Sequence, residues 1–207
     1  SYVTSVGSQS LNANIADGNT AVGYFALNVN TTGTDNVAVG YRAADANTTG
    51  NDNTAIGDNA LGANTTASNN TAVGFSALNA NTTGTRNVAV GRQALYENTT
   101  GLENTAIGQY SLLNNTTGSD NTAVGIGTLN SNTTGDENNA FGKYALSNNT
   151  TGDYNVALGT NSLFSNISSQ QNTAVGQMSM YSNTTGSNNV AVGNVDWIDN
   201  DDDSEID

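Results

Sequence analysis

The chain has 207 residues, a formal net charge of −14, and no proline, cysteine or histidine. No disulfide can hold it, and the usual general bases, thiol nucleophiles and soft metal ligands are missing, so neither catalysis nor a cofactor is expected. Nucleic acid is excluded as an expected partner because an acidic body repels a phosphate backbone, and no apolar run reaches the roughly 18 residues that would suggest membrane insertion.

Residues 1–18 form a degenerate first coil that ends its glycine motif at Gly7. Ser1-Tyr2-Val3-Thr4 shows no basic stretch followed by an apolar one, so no leader is read there. From 19 to 193 the sequence repeats. The motif glycine stands at Gly23, Gly40, Gly57, Gly74, Gly91, Gly108, Gly125, Gly142, Gly159, Gly176 and Gly193, always 17 residues apart. The unit reads N-[TV]-A-[VI]-G-x-x-[AS]-L-x-x-N-T-T-G-x-x, counted from its first Asn as position 1. Low hydrophobicity with an acidic balance would favour disorder. A period kept without insertion argues the opposite, because a stack of identical coils requires it.

Within a unit, positions 2 to 4 have strand character and the Gly at position 5 allows a bend. Positions 6 to 10 are expected to make a second short strand. N-T-T-G at positions 12 to 15 reads as a turn, since Asn and Gly tolerate positive φ. No stretch sustains a helical period. The fold class is therefore all-β, a parallel β-solenoid of 12 coils, about 58 Å long at about 4.8 Å per coil. The structural residues are the ladders at positions 3, 4, 5 and 9: Ala55, Ile56, Gly57 and Leu61 in one copy, Ala72, Val73, Gly74 and Leu78 in the next. Stacked Asn at positions 1 and 12 can hydrogen-bond along the stack.

Each coil offers only two large aliphatic residues, at positions 4 and 9, which is little apolar surface for the chain it orders. Ala72 and Val73 must point to opposite faces of their strand. One face can fill the coil and the other can meet a partner chain, with the Ala ladder permitting close approach. An obligate oligomer with a shared core is the expectation.

Position 12 also matches the N-x-[ST] acceptor pattern at Asn30, Asn47, Asn64, Asn81, Asn98, Asn115, Asn132, Asn149, Asn166 and Asn183. A row of glycans is one reading; turn and ladder residues are the preferred one. Aromatic residues at positions 6, 7 and 10, such as Tyr24, Phe25, Phe164 and Tyr181, can stack on sugars but are expected to pack against neighbouring coils. Paired turn threonines suggest an ice-facing plane, which the variable positions 16 and 17 (Arg86, Glu103, Tyr154) argue against.

Residues 194–207 form an acidic tail or cap with seven of the 18 acidic residues, leaving the body 11 acids against four bases, a net of −7. Asp199, Asp201, Asp203 and Glu205 alternate like the start of a calcium loop, but the central Gly and terminal bidentate Glu are missing. A solvated cap is the preferred reading.

The motifs Asn53-Thr54-Ala55-Ile56-Gly57 and Asn87-Val88-Ala89-Val90-Gly91 resemble the head repeats of YadA-like trimeric autotransporter adhesins. The full unit from Asn70-Thr71-Ala72-Val73-Gly74 through Asn81-Thr82-Thr83-Gly84 is more similar still to repeats of phage tail-fibre proteins. The resemblance covers about residues 3 to 193. It implies a left-handed β-roll, a homotrimer around one axis, and exposure at a cell surface or virion. The adhesin unit is usually shorter, and here the extra residues fall in the N-T-T-G turn. The expected function is a structural or adhesive extracellular fibre module whose turns meet a cell-surface glycan or protein receptor. The alternative is a subunit that self-assembles end to end into a filament.

Overall fold

A computed structural model describes residues 2–194 and Asp196. It is an all-β parallel solenoid of twelve coils, each contributing one three-residue strand to a single twelve-stranded sheet in strict chain order. The first strand, β1 (Thr4–Val6), pairs with β2 (Thr20–Val22), and the series runs through β6 (Val88–Val90), β7 (Thr105–Ile107) and β8 (Thr122–Val124) to β12 (Val190–Val192). Register matches unit position to unit position: Val88 faces Thr105, Ala89 faces Ala106 and Val90 faces Ile107. The first coil is one residue short, yet Thr4 still lies opposite Thr20 because the deficit falls outside the strand.

The strand alternation resolves with alanine inside. Ala21, Ala38, Ala55, Ala72 and their equivalents are fully buried, whereas Ile56 is 39% exposed and Ile107 is 41% exposed. Position 4 is thus not a core ladder, and Ile56 and Val73 point outward rather than into the coil. Small Ala is what fits, because the opposite wall brings Leu27, Leu61, Leu78 and Leu95 against it, all completely buried. Burying each leucine is worth about 2 kcal/mol.

Positions 6 to 10 form no second strand. They make a tight winding in which positions 7 and 9 take positive φ: Gln93 at 52° and Leu95 at 54° in one coil, Tyr110 at 60° and Leu112 at 49° in the next. A left-handed residue other than Gly costs about 1–2 kcal/mol. Here that cost is offset twice. The leucine side chain reaches the core, and its N–H still joins the stack, as Leu95 N donates to the Ser111 carbonyl at 2.9 Å. A backbone-to-backbone ladder between coils therefore persists beyond the strand.

The remaining wall is built from side-chain amides. In one coil the Asn87 and Asn98 Nδ2 groups both donate to the Gly101 carbonyl, at 2.9 and 3.0 Å. That carbonyl points inward, where water cannot serve it, so the two amides supply what a buried acceptor requires. Asn98 Nδ2 also donates to Asn81 Oδ1 at 3.0 Å, and Asn115 Nδ2 to Asn98 Oδ1 at 2.9 Å. Among the described residues no buried side-chain nitrogen or oxygen lacks a partner. Hydrogen-bonded asparagine columns thus supply part of the interior that a thicker protein would fill with aliphatic side chains.

Two glycine ladders let the coils stack closely, for different reasons. At position 5 the φ values run from 114° to 141° from Gly23 to Gly193, and a Cβ on Gly91 would lie 2.6 Å from the Gly108 carbonyl oxygen. At position 15 the glycines are not left-handed, contrary to the turn reading. They are small because a Cβ on Gly101 would meet the Gly118 oxygen at 2.3 Å and Asn98 Oδ1 at 2.4 Å.

Candidate functional site

With alanine inside, the outward surface of the sheet belongs to positions 2 and 4. From β2 to β12 these positions form two parallel rows of eleven residues each, and no charged residue occurs in either row. From β2 to β8 every one of them is Thr, Val or Ile. These β-branched side chains are stiff at χ1, so the methyl groups hold fixed places along the rod. The rows become bulkier at Phe141, 41% exposed, and Leu158, 49% exposed.

The chain enters this face through positions 16 and 17 and leaves it through Gly at position 5 into positions 6 and 7. These two long edges differ in chemistry. The entering edge carries Asp35, Asp52, Glu103, Asp120, Glu137 and Asp153, among others, with one base, Arg86, paired to Glu103 of the next coil. Its position 16 side chains also bond the stack: Ser119 N donates to Asp136 Oδ1 at 2.7 Å and Asp136 N to Asp153 Oδ1 at 2.8 Å. The negative field there holds the Tyr154 phenol above its ordinary pKa, with Glu137 the largest contributor and burial, Asp153 and Asp136 adding to it.

The leaving edge carries the other three bases on aromatic supports. Arg42 stands 5.9 Å from the centroids of both Phe25 and Tyr41, Arg92 stands 5.9 Å from Phe75 and 5.8 Å from Tyr110, and Lys143 stands 5.1 Å from Tyr144. Tyr24 stacks on Tyr41 at 5.7 Å and Phe164 on Tyr181 at 5.1 Å, so these rings do pack between coils. Arg42 also pairs with Asp45 at 3.3 Å. Burial raises the Asp45 carboxyl pKa, and Arg42 with nearby backbone N–H groups only partly counters it.

The structure separates the residues singled out in the sequence. Ala55, Ala72, Leu61 and Leu78 are buried, Gly57 and Gly74 sit at the position 5 corner, and Ile56 and Val73 belong to the outward face. The ten sequon asparagines lie in the interior column with their Nδ2 groups donating hydrogen bonds, as Asn30 Nδ2 does to the Gly33 carbonyl at 2.9 Å. A glycan on that nitrogen is incompatible with the folded coil, so the carbohydrate reading is corrected to a structural one. The continuous exposed threonine row is position 14, because position 13 mostly turns its hydroxyl into the stack, as Thr99 Oγ1 donates to the Thr116 carbonyl at 3.0 Å, with Thr65 an exposed exception. Asp199, Asp201, Asp203 and Glu205 lie outside the described residues. No helix among the described residues is long and apolar enough to cross a membrane. The expectation that the Ala ladder permits close approach of a partner chain is corrected, since those alanines lie inside the coil and positions 2 and 4 face out; the unlike edges were not singled out in the sequence. The signal for the outward face was available in the strict absence of charge at positions 2 and 4.

Comparison of the chain with protein-family models, with characterised proteins and with solved structures returns no match.

Proposed function

We propose that this chain is a rigid structural module of an extracellular fibre, of the adhesin-head or phage tail-fibre kind, in which three copies set their strand faces toward a common axis. Its work is mechanical rather than catalytic, and the exposed turns are left to meet a receptor on a cell surface. The observation that carries this reading is the uncharged face, stiff and β-branched from β2 to β8, that runs along a solenoid whose own interior is already closed. A face of this kind gains by leaving water.

Solution mass combined with negative-stain imaging tests the proposal. A mass of three chains in rods about 58 Å long is the expected result. A single chain at every accessible concentration overturns the assembly. Micrometre threads would replace it with the end-to-end filament, in which β12 of one copy extends the sheet onto β1 of the next.

A further inference from the structure

We infer that Tyr41, Asp58 and Phe75 form a surface slot that binds a quaternary ammonium group, such as that of choline. The slot lies on the leaving edge and does not depend on the self-association proposed above.

The three residues hold unit position 6 in three successive coils, coil 3 (36–52), coil 4 (53–69) and coil 5 (70–86). Both rings are 48% exposed. Each ring already has a neighbour on its far side. Tyr24 of coil 2 stacks on Tyr41 at 5.7 Å, with 13° between the planes. Arg92 of coil 6 stands 5.9 Å from the Phe75 centroid. Arg42 leaves the near face of Tyr41 open, because its guanidinium leans back to Phe25 of coil 2 and pairs with Asp45. The two faces that remain look at each other across the coil of Asp58.

Two coil spacings set these rings about 10 Å apart. Allowing for ring thickness, the free gap is about 6 Å. A cation centred in it stands about 5 Å from both centroids, close enough for each ring to attract it. A trimethylammonium group fills such a gap and touches both rings. A bare ammonium ion is narrower and more tightly hydrated, so it gains less.

Asp58 supplies the floor. Its carboxyl carbon and the first carbon of each ring are all γ atoms, so the carboxylate stands level with the inner edges of the rings and leaves the gap above it clear. Asn59 Nδ2 donates to Asp58 Oδ1 at 2.6 Å and holds the group in place. Among the described residues no base pairs with it, and it is the one acid at position 6 or 7 from coil 1 to coil 11. Ring faces are themselves negative, so the whole lining has one sign. The net charge of −14 draws cations toward the chain as well.

A choline titration followed by proton NMR tests the slot. Position 6 already holds Gln109 and Gln177, so Tyr41→Gln and Phe75→Gln should fold, which circular dichroism checks. These variants also identify the ring signals. Choline should shift both rings with a dissociation constant on the order of 10 mM, and sodium chloride at equal ionic strength should not. Removing either ring should weaken binding about threefold, Asp58→Asn about threefold, and all three changes together should abolish it. The neutral carbon analogue of choline, with tert-butyl in place of trimethylammonium, should bind at least about fivefold more weakly. Phosphocholine should also bind more weakly than choline, because Asp58 repels its phosphate; that order assigns the slot to the free cation rather than to a lipid headgroup. Rings unmoved by choline at ten times the expected constant overturn the inference. So do equal binding of the neutral analogue, tighter binding of phosphocholine, or full binding by the triple variant. A monomeric mass in solution leaves it standing.

Discussion

The strand wall and the asparagine wall hold the same coils together by different means, and their sequences differ accordingly. On the strand wall the stack is made by main-chain hydrogen bonds, such as Thr105 N to the Asn121 carbonyl at 2.8 Å. Its outward residues are free to be Thr, Val, Ile, Asn, Phe or Leu. On the other wall the side chains themselves make the stack, and position 12 is Asn in every copy from Asn30 to Asn183. Invariance in this repeat follows close fit, through side-chain hydrogen bonds at positions 1 and 12 and through the small interior space at position 3, more closely than it follows apolar bulk. Position 9 bears this out, since Ala44 and Met180 both serve there, fully buried, in place of leucine.

The largest expected effect comes where neither wall can yield. Gly91→Ala places a Cβ 2.6 Å from a backbone oxygen at φ 135°, and should cost about 3–5 kcal/mol in chemical denaturation. The position 15 ladder already tolerates Ala67 and Ser169, so Gly101→Ala should cost clearly less; equal losses would refute the distinction drawn between the two glycine ladders. Next is Asn98→Leu, which leaves Asn81 Oδ1 without its 3.0 Å donor and removes one of two donors to the Gly101 carbonyl. A loss of about 2–4 kcal/mol is expected from the stranded polar groups. Because solenoid coils couple only to their neighbours, the melt of this variant should broaden or split. The strand wall should be far more forgiving. Val90→Thr, on the half-exposed face, should change stability of the single chain by less than about 1 kcal/mol. If it matches Asn98→Leu in cost, the comparison between the walls fails.

The smallest effect is electrostatic. The Asp45 pKa is raised in the folded chain, so the folded state holds that proton more tightly than the unfolded one. Stability is then slightly greater at low pH and declines as pH climbs from the ordinary value of 3.8 through the raised one. Asp45→Asn should remove this decline, measured as the midpoint of urea unfolding against pH. A variant that keeps the full slope would place its origin elsewhere.

Much of the fold was legible in the repeat. The 17-residue period gave coil number and register, and Gly at position 5 marked the corner. Three features were not. Strand alternation says that Ala72 and Val73 oppose each other, but only the size of the interior decides which is inside; with a leucine opposite, alanine fits. Leucine carries no sign of left-handed backbone, so Leu95 at φ 54° looked like part of a strand. The sequon pattern describes only adjacent residues, whereas the fate of Asn98 is set by Asn81, Asn115 and Gly101. Which strand face turns outward was the least legible, because alternation alone offers both the alanine side and the Val/Ile side for that role.

The asparagine column has an electrical consequence. Each position 12 amide donates toward the coil before it and accepts from the coil after it, so the side-chain dipoles point the same way along the rod. Strand hydrogen bonds run in both directions between coils and largely cancel. The rod is therefore polar along its length, and each amide polarises its neighbours. A coil in mid-column is held by a chain of aligned dipoles on both sides, and one near either end by a chain on one side only. Identical coils thus differ in firmness by position alone.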